Sequence, residues 1–268
     1  MINNNISCLL TIHNKEWLIE KVIDGIIENI SELVTEIIIV FDGCNDNSEV
    51  IVKNKLKKIQ NNISIMYLYT DDVFETKANN TGLKQVTNPY VISIQDDMVI
   101  TEKNFDKRML KPFIAFTDVF AVTAQTAHNN YFDGSTFHHI DDVNNPNRNS
   151  NAGLRNVFYI REIVNRGPVM YNMEDLRKLN FLDEEYAPYS YDDHDICYRA
   201  KKILNKVSGL YWINYISQPS WGTGRNKNQD LSYSSHRKNE ILIVSKHKDI
   251  ICSKQKNNFE RFLDDNLP

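Results

Sequence analysis

The sequence has little of what would take it out of the cell, into a membrane or onto nucleic acid. Its 4 cysteines among 268 residues, Cys8, Cys44, Cys197 and Cys252, stand far apart, with no C-x-x-C pair and no metal-knuckle spacing. Neither a disulfide framework nor a structural zinc site is expected, and the thiols read as reduced. No apolar run is long enough to span a bilayer, and the N-terminal MINNNISCLL is polar where a secretory leader would be basic and then apolar. A cytoplasmic protein is the expectation, with peripheral membrane contact left open. Without a leader, the Asn-x-Ser/Thr triplets at Asn5, Asn29, Asn62 and Asn79 carry no meaning as glycosylation sites. A net charge of -4 leaves no basic footprint for nucleic acid. With 7 Pro and 9 Gly there is no linker able to separate independent domains, and no internal repeat is visible.

What is present is an alternation of short β-branched runs with longer segments of helical period, which predicts an α/β fold: a mostly parallel sheet flanked by helices. Strands are expected at Ile6–Thr11, Glu36–Phe41, Ile63–Tyr69, Tyr90–Gln95 and Phe120–Gln125, and helices at Glu16–Ile30, Ser48–Ile59, Lys77–Val86 and Phe105–Phe116. From His128 to Asn156 the composition turns to His, Asn, Asp and Gly without periodicity, which predicts a long loop, either a functional lid or a disordered segment. Beyond it, Asn172 is placed to cap a helix beginning MEDLRKL, and further helices fit Asp193–Leu204 and Ser234–Lys246. The tail from Lys254 reads as a small charged helix or a frayed end.

Each early strand ends in a polar turn, and in open α/β sheets ligands bind outside the carboxyl ends of the strands. VISIQDDMVI puts two like charges, Asp96 and Asp97, side by side at such an end. Oxygen ligands on a loop suit a hard divalent cation, Mg²⁺ or Mn²⁺, which would also relieve their repulsion. Solvated turn residues are the plain alternative, and Asp71-Asp72, which stands without comparable company, is read that way. The company of Asp96-Asp97 is Asp42 at the tip of EIIIVFD, Lys77 and Asn80 at a helix start, and an acidic cluster of Asp192, Asp193 and Asp195 at another. Acidic residues at a helix N-terminus complement the macrodipole, which accounts for Asp192 and Asp193 as well as catalysis does. His138-His139 with Asp141-Asp142 is weighed as a metal cluster and set against ordinary loop polarity.

Taken in order, these stretches resemble glycosyltransferase family 2, the nucleotide-sugar-dependent enzymes of the GT-A fold, over roughly Ile6 to Ile250. The resemblance rests on Thr11-Ile12-His13-Asn14, Val40 to Ser48, Lys77 to Gly82, Gln95-Asp96-Asp97, Gly167-Pro168, LRKLNFLDEEY and Asp192 to Arg199. It implies a Rossmann-like nucleotide-sugar half over 1–127, an acceptor-binding and catalytic-base half over 128–250, and a tail over 251–268. It further implies an inverting transfer from a nucleotide-diphosphate sugar, a UDP-sugar by default, to a hydroxyl of a glycan or glycoconjugate. Thr11, His13, Asn14, Asp42, Lys77, Asn80 and Asp96 would hold the donor nucleotide, Asp97 the divalent Mn²⁺ or Mg²⁺, and Asp193 would be the general base, its pKa lowered by the helix N-terminus. Asp192, Trp221 and Arg225 would lie at the diphosphate or acceptor.

There are departures from the family pattern. Phe41 and Gln95 stand where the family usually has Asp, and PSWGTGRNK lacks the His many members place near the diphosphate. A non-catalytic nucleotide-sugar-binding protein is therefore one alternative. A haloacid-dehalogenase-type phosphatase is another, suggested by VFDGCND, although that chemistry needs Asp where Cys44 stands.

Overall fold

The computed structural model describes residues 3–59, 63–148, 151–222 and 229–264. In the first half the periodicities become β1 (Ile6–Ile12), α1 (Ile19–Asn29), β2 (Val34–Asp42), α2 (Ser48–Leu56), β3 (Ser64–Thr70), α3 (Phe74–Leu83), β4 (Tyr90–Gln95), β5 (Val99–Ile100), α4 (Phe105–Ala115) and β6 (Val119–Thr123). The second half adds β7 (Thr126–Phe132), β8 (Phe137–Asn144), β9 (Val157–Arg161), β10 (Ile163–Val164), β11 (Val169–Asn172), α5 (Met173–Lys178), α6 (Asp192–Leu204), β12 (Val207–Leu210) and β13 (Tyr215–Ile216). Last come α7 (Gln229–Ile251), kinked at His247, and β14 (Phe259–Phe262).

A 9-stranded sheet in the order β14-β9-β12-β6-β11-β4-β1-β2-β3 forms the spine. β3, β2, β1 and β4 pair in parallel, while β11 and β9 run against their neighbours. β1 lies between β2 and β4 and is buried on both faces, so ISCLLTI reads as a near-continuous apolar run. Helices α1, α2 and α4 cover one face and α3, α5, α6 and α7 the other, each with its own apolar core. In α1 the spacing of Ile19, Val22, Ile23 and Ile26 puts one stripe onto the sheet, and burial of each such side chain contributes about 1.5–3 kcal/mol. Because β1, β2 and β4 share a direction, their tips at Ile12, Asp42 and Gln95 open on one crevice.

The second half departs from expectation. Residues 128–144 are not a loop: β7 and β8 form a hairpin joined by β10. Beside Ala127 and Val143 its buried positions are polar, Thr126, His128, Asn129 and Asn130, so no apolar alternation announced it. The two asparagines tolerate burial because they are bonded, Asn129 Nδ2 to Asp141 (3.0 Å) and Asn258 (2.7 Å), and Asn130 Nδ2 to Tyr198 Oη (3.1 Å). The tail is likewise a strand, β14, pairing with β9 from Phe259 to Phe262. Asn172 caps α5 as expected, accepting from Asp175 N–H at 3.1 Å. Ser48 does not cap α2 with its side chain: its hydroxyl accepts from Lys15 N–H (2.7 Å), and Asp46 Oδ1 accepts from Ser48 N–H (3.0 Å).

Candidate active site

The crevice at the tips of β1, β2 and β4 is a cleft of about 210 Å³, and Thr11, His13, Asp42, Asp96 and Asp97 all line it. Asp96 is buried and its Oδ2 accepts the His13 main-chain N–H at 3.0 Å, fixing the β4 turn to the β1 turn. Burial pushes the Asp96 carboxyl up to about 7, against the pull of Lys15, whose Nζ lies 3.4 Å from Asp96 Oδ1. Lys15 is itself only 2% exposed and also donates to the Trp221 carbonyl, so one buried cation ties the β4 tip to Trp221 and its neighbour Gly222, another lining residue. Trp221 thus reaches the site through its backbone. Arg225 lies outside the described residues.

Asn14 stands at φ 47 beside the cleft and accepts from Asn45 N–H (2.8 Å), holding the β1 turn to the β2 turn. Asp42 Oδ1 accepts from the Thr70 hydroxyl (2.7 Å) and Val73 N–H (2.8 Å). His13 Nδ1 lies 2.6 Å from the Asp42 carbonyl and 3.7 Å from Asp72 Oδ1, so the Asp71-Asp72 turn, read from sequence as turn chemistry, brings Asp72 to the mouth of the site. Among the described residues His13, Asp42 and Asp72 are the set whose ligand atoms converge, within 4.8 Å of one another. Asp42 is bonded to the β3 end, as Asp96 is to the β1 turn, and Asp96-Asp97 offers oxygen-only donors of the kind a hard cation prefers. Lys77 and Asn80 are not brought to the cleft. Lys77 is exposed, and the Asn80 amide is bonded to both the N–H (3.0 Å) and the carbonyl (2.8 Å) of Leu182.

Beside this cleft lies a second of about 240 Å³, lined by Asp192 and Asp193 at the start of α6, and the two share Glu75, Gln95 and Tyr189. The distant acids therefore line two adjoining clefts of one depression, with those three side chains as their common wall. Arg166 joins them: its guanidinium pairs with Glu75 (2.8 Å) and with Asp192, and Gln95 Nε2 donates to Glu75 at 2.8 Å. Gln95, in place of the usual Asp, is thus the neutral partner that a crowd of carboxylates requires. Gly167 at φ 79 follows Arg166 because a Cβ there would stand 2.5 Å from Gln95 Oε1.

Both Asp193 oxygens accept main-chain N–H groups, Oδ2 from Arg166 (3.1 Å) and Oδ1 from His194 (3.0 Å), so the carboxylate is held in one orientation. Its pKa is not lowered, as the helix start led us to expect. Burial outweighs Arg166 and the N–H bonds and raises it to about 6. Four residues here went unread in the sequence, Lys15, Glu75, Arg166 and Tyr189. Lys15, next to Asn14, and Arg166, next to Gly167-Pro168, adjoin stretches that were read, and only tertiary contact gives them a role.

The profile described as Glycosyl transferase family 2 matches residues 7–179, which contain every strand tip just described. The chain belongs to glycosyl transferase family 2. Membership in this family sets aside the phosphatase alternative. Among solved structures, TarS of S. aureus matches with a TM-score of 0.54 at 17% identity, over 81% of this chain and 37% of TarS. GalNAc-T7 with UDP, GalNAc and Mn²⁺ matches at 0.60 and 11%, over 78% and 44%. A mannosyltransferase from Pyrobaculum calidifontis with GDP-Man and Mn²⁺ matches at 0.55 and 14%, over 77% and 56%. These likenesses establish the GT-A fold; the chain spans between a third and three fifths of the length of these structures. No curated protein shows a significant match to the sequence. No helix among the described residues is long and apolar enough to cross a membrane.

Proposed function

We propose that this glycosyltransferase works by inversion, moving a sugar from a nucleoside-diphosphate donor, a UDP-sugar by default, to a hydroxyl of a glycan or glycoconjugate. The observation that carries the reading is the depression shared by Asp96-Asp97 and Asp193, with Asp193 fixed by two main-chain N–H groups. Residues 1–127 would form the donor half and 128–250 the acceptor half. Thr11, His13, Asn14 and Asp42 line or brace the nucleotide end, and the rings of Phe74 and Tyr189, nearly parallel at 16° with centroids 6.4 Å apart, form flat walls. Asp97, assisted by Asp96, would hold Mn²⁺ or Mg²⁺, which when bound offsets the charge growing on the departing diphosphate.

Asp193 takes the proton of the acceptor hydroxyl as that oxygen bonds to the anomeric carbon and the bond from that carbon to the diphosphate oxygen breaks. Attack comes from the face opposite the leaving group, so the configuration inverts. A carboxyl raised to about 6 remains mostly ionised at neutral pH while being a stronger base than an ordinary aspartate. The transition state is oxocarbenium-like, as in glycoside hydrolysis. Thermal shift with a panel of nucleoside diphosphates and Mn²⁺ tests the donor site. A rise in melting temperature that is largely lost in Asp97→Ala supports it; no rise with any nucleotide, or an equal rise in Asp97→Ala, overturns it.

A further inference from the structure

Asp193 also lines a third recess, of about 180 Å³, together with His139, Ser190, Tyr191, His194 and His236. Its walls are aromatic. The Tyr191 ring lies 5.0 Å from both His194 and His236, and its hydroxyl is 3.2 Å from His236 Nε2. His128 stacks on His139 at 4.5 Å and meets His194 edge-on at 5.1 Å, extending the imidazole cluster behind the recess. This is not a metal knot, since no set of ligand atoms drawn from these histidines converges among the described residues. His128 Nε2 is buried without a hydrogen-bond partner, a polar group that ordinary core packing would have satisfied.

The rim is built under strain. Ser190 and Tyr191 both have positive φ, 80 and 67, which for a bulky residue such as Tyr is an outlier. Asn239 of α7, fully buried, holds that backbone by reaching the carbonyls of Tyr186 (2.7 Å), Tyr189 (2.9 Å) and Ser190 (3.1 Å) with its amide nitrogen. The conformation turns the Tyr191 ring onto His194 and His236.

We propose that this recess is the acceptor subsite and that it takes one ring of an uncharged saccharide, with a hydroxyl turned toward Asp193. The inference rests on the transferase reading above. The recess is smaller than the ~300–1,000 Å³ of pockets for drug-sized ligands, which suits a single ring. Ring faces carry partial negative charge and accept the C–H faces of a sugar, while imidazole nitrogens and the Ser190 and Tyr191 groups can bond its hydroxyls. An anionic acceptor group would meet Asp193 in the wall and the charges of Glu240 and Asp142 near Tyr191 and His139. Among the described residues no Lys or Arg lines the recess to offset them. Burial also keeps His128 and His194 well below the ordinary histidine value, and His139 below it, so these rings stay neutral and supply no cation.

The test is NMR of the imidazole Cε1–H signals of the full chain, titrated without nucleotide with methyl β-glucoside, methyl β-galactoside and the methyl glycoside of N-acetylglucosamine, and separately with glucose 1-phosphate. A saturable shift of the His139 and His236 signals with a neutral glycoside, absent with the sugar phosphate and leaving His13 unmoved, is the expected result. The double variant His139→Ala/His236→Ala should weaken glycoside binding about tenfold or more. Unchanged far-UV circular dichroism checks that the double variant keeps its fold. No shift with any neutral glycoside, tighter binding of the sugar phosphate, or undiminished binding in the double variant overturns the proposal. A parallel titration with Mg²⁺ and UDP separates the two readings. Nucleotide binding without glycoside binding sinks the subsite alone, and glycoside binding without nucleotide binding sinks the donor reading alone.

Discussion

Arg166→Gln removes the charge that keeps three carboxylates together while retaining the main-chain N–H that orients Asp193. Arg166 is 8% exposed, pairs with Glu75 and Asp192, and is the one cation among the described residues lining that side of the depression. Removing one partner of a buried ion pair costs about 3–5 kcal/mol. In a chain of this size each kcal/mol moves the melting temperature by about 2–4 °C, so a loss of roughly 6–20 °C is expected near neutral pH.

The loss should depend on pH in a definite direction. Asp193 titrates at about 6 when folded, above its ordinary 3.8, so the stability linked to it is fully present below 3.8 and is lost as pH rises through 6. Without Arg166 the folded value rises further and the window of loss extends upward. The deficit of the variant should therefore be larger at about pH 8 than at about pH 5. Differential scanning fluorimetry at both pH values reads this directly. In the pH profile of kcat/KM the acid limb should move upward, each unit costing about tenfold in rate below it. An equal deficit at both pH values with an unmoved limb would show that Arg166 acts only through packing, and would refute the reasoning.

Lys15→Met leaves the buried Asp96 without its cation and frees the Trp221 carbonyl; stability should fall by about 3 kcal/mol, with part of it returned by Mn²⁺ and a nucleoside diphosphate in the same fluorimetric assay. Asn239→Ala leaves the carbonyls of the Tyr186–Ser190 turn unsatisfied at a cost of about 1–3 kcal/mol. Transfer to acceptor should fall while the nucleotide dissociation constant is unchanged, and equal loss of both would contradict the turn's place on the acceptor side.

The first half of the fold was legible because its strands are apolar and its helices amphipathic, so ISCLLTI and EIIIVFD announce buried parallel strands. The hairpin after Gln125 was not, because much of the burial there is carried by polar residues, His128 and the hydrogen-bonded Asn129 and Asn130, which no hydrophobic pattern reveals. β14 was missed for a related reason: FERF is an edge strand whose Phe259 and Phe262 stay exposed. At the site, Asp42, Asp96, Asp97 and Asp193 were visible as acids at strand tips and a helix start, and the structure gathers them around one depression. Lys77 and Asn80 were drawn in by position along the chain, yet α3 turns one to solvent and ties the other to Leu182. Glu75 and Arg166 became visible only when α3 and the approach to β11 met across Gln95.

The most direct measurement is single-turnover transfer by Asp193→Asn, with nucleotide affinity determined on the same sample. Loss of about 10² to 10⁴ in rate with an unchanged nucleotide dissociation constant is the predicted result, the range that a positioned general base contributes. Transfer at the wild-type rate, or loss of nucleotide binding together with transfer, would contradict the role of Asp193 as the base that faces the diphosphate across the cleft.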